Sequence, residues 1–231
     1  MSLLTLVTDD PTWLDNPVIR EGMWPATLET IYMTLAATIF TVIGGLPLGV
    51  LLHATSQAGL RPNARVNRVL GAIVNVGRSL PFLILMIAII PFTRFVVGTS
   101  AGWQAATVPL TIGAIPFFAR LVETSLRDVP SGKVEAAQMM GASNGQIVRQ
   151  VLVSEAAPGI IAGLTTTIIA LVSYTAMAGA VGGGGLGATA MSYGYNRFQS
   201  DVMIVAVVLL VILVQLVQMI GDAAVRRIDH R

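Results

Sequence analysis

Five stretches of roughly twenty residues each, at 28–52, 70–92, 105–122, 160–181 and 202–220, are nearly free of charge, and they confine this chain to one kind of environment. A spanning helix needs about 20 mostly apolar residues to cross roughly 30 Å of hydrocarbon. Inside a bilayer every backbone amide must find its partner within the protein, which leaves only helices or closed barrels. The runs are continuous rather than alternating, so they predict helices and not barrel strands. The composition agrees, since 11% charged residues and a mean hydropathy of +0.76 lie outside the range of soluble globular chains. Pro109 and Pro116 predict kinks in the third run. The expected fold class is an all-α membrane protein with five transmembrane helices.

Orientation follows from Lys and Arg, which are retained on the cytoplasmic side when they lie in short connections. Arg61, Arg65 and Arg68 follow the first run, Arg127, Lys133 and Arg149 separate the third from the fourth, and Arg226, Arg227 and Arg231 close the chain. The opposite side holds only Arg20, Arg94 and Arg197. The amino terminus is therefore expected outside and the carboxyl terminus inside. Residues 1–26 carry Asp9, Asp10, Asp15 and Glu21 without a basic n-region, and read as an extracytoplasmic segment rather than a cleavable signal peptide. Residues 27–221 form the expected membrane domain and 222–231 a basic cytoplasmic tail. The chain has no cysteine, which excludes disulfides, thiolate metal sites and a thiol nucleophile. Its net charge of +2 is modest and its arginines border the spans, so they serve topology in contact with membrane lipid and do not indicate nucleic acid.

The cytoplasmic loop at 127–158 is long for a connection and is patterned. Ser131 is placed to cap a first helix, Glu135 falls where an acid favours the helix dipole, and Ala136, Ala137, Met139 and Met140 supply a small apolar surface. Gly141 permits a left-handed stop. Ser143 followed by Gln146 is a capping box, opening a second helix whose Ile147, Val148, Val151 and Leu152 share one face. The result is a helix-turn-helix. Exposed Ala and Met beside a Gly turn suit insertion into a partner's groove, and an amphipathic pair lying on lipid is the alternative.

Glu135, Ala136, Ala137 and Gly141, set in a cytoplasmic loop before the last two runs, resemble the EAA motif of ABC importer permeases. The segments NVGRSLPFLILMIAIIPFTRFVVGTS (75–100), GAIPFFARLVE (113–123) and SYTAMAGAVGGGGLG (173–187) are similar to those of methionine importer permeases, so the resemblance covers most of the chain. It implies a type I importer permease fold over 27–221 in the inner membrane of a bacterium. It implies a homodimer, a pair of ATPase subunits that bind ATP-Mg and receive the loop in their clefts, and an extracytoplasmic substrate-binding protein. It assigns coupling to Glu135, Ala136, Ala137, Met140 and Gly141, and places methionine in both L- and D-forms as the substrate. One departure is Ser154, where the general motif has Pro, which implies a less rigid exit from the second loop helix.

Arg78 is the one charge well inside a run, where insertion scales put the cost at about 2.5–3.5 kcal/mol. It either snorkels or caps carbonyls, or it faces the pathway. Arg78, with Tyr174, Met177, Gly182 and Gly185 of the matched 173–187 segment, forms the expected pathway or gate set. Gly182, Gly184 and Gly187 fit a G-x-G-x-x-G spacing, but no preceding strand or βαβ unit accompanies them, so the run reads as a flexible turn or, alternatively, a moving hinge. Arg120 and Glu123, one helical turn apart, are expected to form a local ion pair.

Catalytic machinery is not legible. His53 and His230 offer no general base beside a membrane serine, no metal-ligand spacing occurs, and no G-x-x-x-x-G-K-[ST] loop is present, so ATP hydrolysis is expected on another chain and this chain needs no cofactor of its own. Three classes remain: an ATP-driven permease for methionine or another small solute, a secondary transporter, and a membrane protein whose loop recruits a partner. Acids at mid-membrane and inverted repeats would mark the second, and neither is seen.

Overall fold

The computed structural model describes residues 13–228. Asp9, Asp10, His230 and Arg231, parts of the expected acidic segment and basic tail, lie outside the described residues. The helices are α1 (Met23–Thr55), α2 (Ala64–Ser79), α3 (Phe82–Ala88), α4 (Ile90–Val97), α5 (Trp103–Arg127), α6 (Ser131–Met139), α7 (Asn144–Gln146), α8 (Val153–Gly179), α9 (Gly185–Thr189) and α10 (Ser200–Ile228). Wide π-type turns lead into α1, join α7 to α8 and extend α9 to Tyr195. Among the described residues four helices are long and apolar enough to cross a membrane, at Val18–Thr55, Trp103–Arg127, Asn144–Gly179 and Ser200–Ile228. Counting α2 and α3 as one broken span gives the expected five.

Several sequence expectations need correction. The run at 70–92 is not one helix, because α2 and α3 meet at an angle of 100°. Leu80, which precedes Pro81, is extended at φ −76° and ψ 125°. Proline has no N–H and pushes the residue before it out of the helical region, so the helix ends here. The third run is one continuous helix that contains both Pro109 and Pro116. The first helix starts upstream of residue 28, and Arg226 and Arg227 belong to the last turns of α10. The second helix of the cytoplasmic loop does not end before the fourth span but flows into it as the unbroken Asn144–Gly179. Ser154 therefore lies inside a helix, its hydroxyl donating to the Arg149 carbonyl at 3.2 Å across the wide turn.

Three apolar clusters stack from one end of the bundle to the other. Met23 and Ala26 at the start of α1 meet Leu186, Val202 and Ala206 at the extracytoplasmic end. Met33, Ala37, Phe82, Leu110 and Leu171 join α1, α3, α5 and α8 in the middle. Phe118, Val122 and Leu126 of α5 meet Ala137, Ile147 and Leu152 of the loop at the cytoplasmic end. The most extensive helix contact is between α1 and α5. A Cβ on Gly49 would lie 2.6 Å from the Ala119 carbonyl oxygen and 2.6 Å from Val122 Cβ, and one on Gly45 would lie 2.9 Å from Phe118 Cδ1. Glycines four apart let two backbones touch, which is how helices associate where lipid removes the hydrophobic driving force.

The glycine run forms a hydrogen-bonded turn. Gly182, Gly184 and Gly185 take positive φ of 87°, 79° and 72°, which only glycine adopts without cost. The Gly182 carbonyl accepts from Gly102 N–H at 2.9 Å, Glu29 Oε2 accepts from Gly185 N–H at 2.7 Å, and Thr30 Oγ1 accepts from Leu186 N–H at 2.9 Å. Side chains of α1 thus satisfy the first amides of α9 and hold the outer turn in place.

Two outcomes are expected. Gly49→Val forces α1 off α5 and lowers stability by about 1–3 kcal/mol, read as a lower melting temperature of detergent-purified protein, whereas Gly71→Ala, with no atom within 4 Å of the added carbon, leaves it unchanged or raises it slightly. Glu29→Leu strands a partly buried amide at a cost of about 1–3 kcal/mol, seen as faster hydrogen exchange at residues 185–190.

Candidate functional site

The cytoplasmic loop is built from local signals. Pro130 occupies the position before α6 with no side-chain cap, and Ser131 is the first helical residue, so the expected Ser131 cap is not formed. Gly141 ends α6 at φ +80°. The Gly141 N–H donates to the Gln138 carbonyl and the Ala142 N–H to the Ala137 carbonyl, the paired pattern of a left-handed helix stop. The Ser143 capping box forms in both directions, with the Ser143 N–H donating to Gln146 Oε1 at 2.8 Å and the Gln146 N–H donating to Ser143 Oγ at 3.4 Å.

The expected coupling residues divide between two faces. Ala137 is buried against α5 and the start of the following helix, so it anchors the loop and does not belong to the outward apolar surface. Glu135, Ala136, Met140 and Gly141 are exposed, and Met139 and Met140 are 90% and 81% exposed, leaving an apolar knob at the tip. Met139 was absent from the expected coupling set, although its place beside Met140 in the sequence was a sufficient signal. Lys133 Nζ pairs with Glu155 Oε2 at 2.5 Å and fastens α6 to α8 from the other side. Glu135 and Gln138 also line a cavity of about 290 Å³ together with His53, Arg127 and the turn at Gly59.

Of the expected pathway residues, the structure brings two together. Arg78 and Tyr174 both line a cavity of about 210 Å³ at the break between α2 and α3, with Phe82, Gly113 and Phe117. Tyr174 stacks on Phe82 with ring centroids 4.6 Å apart and planes 9° apart. Met177 is partly exposed and lines neither of these cavities, and Gly182 and Gly185 sit at the outer turn held by Glu29.

The expected Arg120–Glu123 pair is present at 2.6 Å and is part of a larger network. Glu123, with a side chain only 5% exposed, also accepts from Arg127 at 2.8 Å. Arg120 reaches across to Asn75 Oδ1 of α2 at 2.7 Å, tying α5 to the broken span. One buried carboxylate thus holds two guanidinium groups, each a charge-assisted bond.

Comparison with known proteins places this geometry in a family. Residues 45–231 match the family described as the binding-protein-dependent transport system inner membrane component. The chain is 57% identical over 206 residues to the probable D-methionine transport system permease protein MetI of Vibrio cholerae, covering 89% of this chain and 92% of that one. It is 48% identical over 209 residues to the methionine import system permease protein MetP of Bacillus subtilis, covering 90% and 94%. A solved inward-facing conformation of the MetNI methionine ABC transporter contains a chain 50% identical, superposing with a TM-score of 0.89 over 90% of this chain and 96% of that one. A multi-pass bundle with a protruding cytoplasmic knob, matched by this family over most of its length, belongs to the binding-protein-dependent transport system inner membrane components, the permease subunits of ABC transporters.

Proposed function

We propose that this chain is the permease subunit of an ATP-driven methionine importer of the bacterial cytoplasmic membrane, forming the pathway as a pair of copies and driven by a separate ATPase docked on α6. The observation that carries the reading is the knob itself. Two methionines stand almost fully exposed at the end of a short helix whose other face is locked into the bundle by Ala137, the Gly141 stop and the Lys133–Glu155 pair. A flexible apolar side chain adapts to an irregular groove, and the packed face lets movement of a partner's cleft pass to α5 and α8 as a lever. Glu135, Ala136, Met140 and Gly141 are then the contact residues, joined by Met139, with Ala137 as the anchor. Magnesium-bound ATP belongs to the partner ATPase. An extracytoplasmic binding protein delivers substrate to the outer end, where Gly182 and Gly185 form the turn above the pathway. Kinship with methionine permeases supports methionine as cargo, and the single letter in one relative's name that specifies the D-form motivates including both enantiomers.

A secondary transporter needs a titratable acid that can exchange protons or bind sodium along the path. Among the described residues Glu29 is engaged with the Gly185 amide and Glu123 with two arginines, and both sit at span ends, which favours the ATP-driven reading.

The test is uptake of labelled L- and D-methionine into proteoliposomes holding the chain with its ATPase, with the binding protein outside and ATP inside. Accumulation of both enantiomers that stops without ATP is the expected result, and equal accumulation without ATP refutes the reading. A Met139→Asp/Met140→Asp double variant, altered only at exposed positions, is expected to insert normally but to lose at least tenfold in uptake and in co-purification of the ATPase. Wild-type uptake by that variant would remove the knob from the coupling role.

A further inference from the structure

We propose that the cavity at the α2–α3 break is a subsite for the transported amino acid within the membrane, in which Arg78 takes the carboxylate and the Phe82–Tyr174 stack takes the thioether side chain. The proposal rests on the reading of this chain as a methionine permease.

Arg78 lies about 21 Å along the α2 axis from Ala64, in the broken span, and faces a cavity walled by α2, α3, α5 and α8. Its charge is uncompensated. Arg120 and Arg127 share Glu123, and Asn75, one turn before Arg78 on α2, is taken by Arg120, whereas Arg78 makes no hydrogen bond or ion pair with any described residue. A cation in a span needs an anionic or polar partner, and a planar guanidinium matches a carboxylate with two parallel bonds.

The rest of the cavity fits the rest of such a ligand. Pro81 has no N–H and cannot donate to the Gly77 carbonyl as the next helical residue would, and Gly77 lines the cavity. A carbonyl released at a broken helix is a natural acceptor for an ammonium group. The aromatic wall of Phe82, Tyr174 and Phe117 offers faces and edges that attract a polarizable sulfur. Gly113 on α5 keeps the opposite wall clear of side-chain bulk. The volume of about 210 Å³ leaves room for a small solute.

The test uses the whole complex of this chain with its ATPase in lipid nanodiscs, without binding protein, both nucleotide-free and with a non-hydrolysable ATP analogue. Bound radiolabelled L-methionine is displaced with unlabelled methionine, with its methyl ester, which lacks the carboxylate, and with norleucine, which lacks the sulfur. In wild type the ester is expected to compete at least tenfold more weakly than methionine. Arg78→Gln is expected to weaken methionine at least tenfold and to erase the difference between acid and ester, Arg78→Lys to keep part of that difference, and Phe82→Leu to reduce the preference over norleucine. Co-purification of the ATPase verifies assembly, and Arg78→Lys carries the comparison if Arg78→Gln does not assemble. No binding to the wild-type complex in either state, or an Arg78 variant that separates acid from ester as wild type does, overturns the subsite. So does a loss reproduced by removing anionic lipid, which assigns the guanidinium to a lipid phosphate. Uptake by the wild-type complex with its binding protein, measured in parallel, separates the two ideas: uptake without binding at this cavity sinks the subsite alone, and absence of uptake sinks the permease reading beneath it.

Discussion

The backbone contact between α1 and α5 is the constraint from which the remainder of the bundle is set out. Lipid tails are as apolar as the helix faces, so burying leucine or valine provides little drive for helices to associate in a membrane. Close approach provides it instead through dispersion contacts, and Gly45 and Gly49 remove the side chains that would hold α1 away from Ala119 and Val122. With α1 fixed on α5, its outer end presents Glu29 and Thr30 to the glycine turn and its inner end flanks the cytoplasmic loop. One helix pair thereby fixes both ends of the molecule relative to each other.

Two departures from regular helix do different work along this frame. The wide turn between α7 and α8 keeps the second loop helix continuous with the fourth span. The break at Pro81 does the reverse, opening backbone and a cationic side chain toward a cavity between α2, α3, α5 and α8. Irregular backbone is tolerated in a bilayer where it is buried in protein or lines a cavity, and this one does the latter. The Arg120–Asn75 bond links the two, because it joins the helix that supports the loop to the helix that breaks.

The charged groups also show why simple counting of intramembrane charge misleads. Glu123 is held by two arginines at the inner end of α5, one of which also bonds Asn75 of α2, and Glu29 accepts from the Gly185 amide. Arg78, by contrast, lines the cavity at the α2–α3 break without a hydrogen-bond or ion-pair partner among the described residues.

Read along the chain, the residues by themselves determined the membrane class, the number of crossings, the positive cytoplasmic side and the helix stop and capping box of the loop. Those depend on apolar length, loop charge and local backbone preference at Gly141, Ser143 and Gln146, each acting within a few residues. The Pro81 break was written in the sequence but hidden by the continuity of apolar residues around it, while Pro109 and Pro116 lie within the continuous helix α5. Ser131 looked like a cap and was displaced by one position, because Pro130 took the turn. Only the tertiary structure decided that Ala137 faces inward and Met139 outward, that Glu29 holds a turn 156 residues away, and that Arg78 and Tyr174 share one cavity. Such outcomes depend on contacts between distant segments, which periodicity and propensity do not encode.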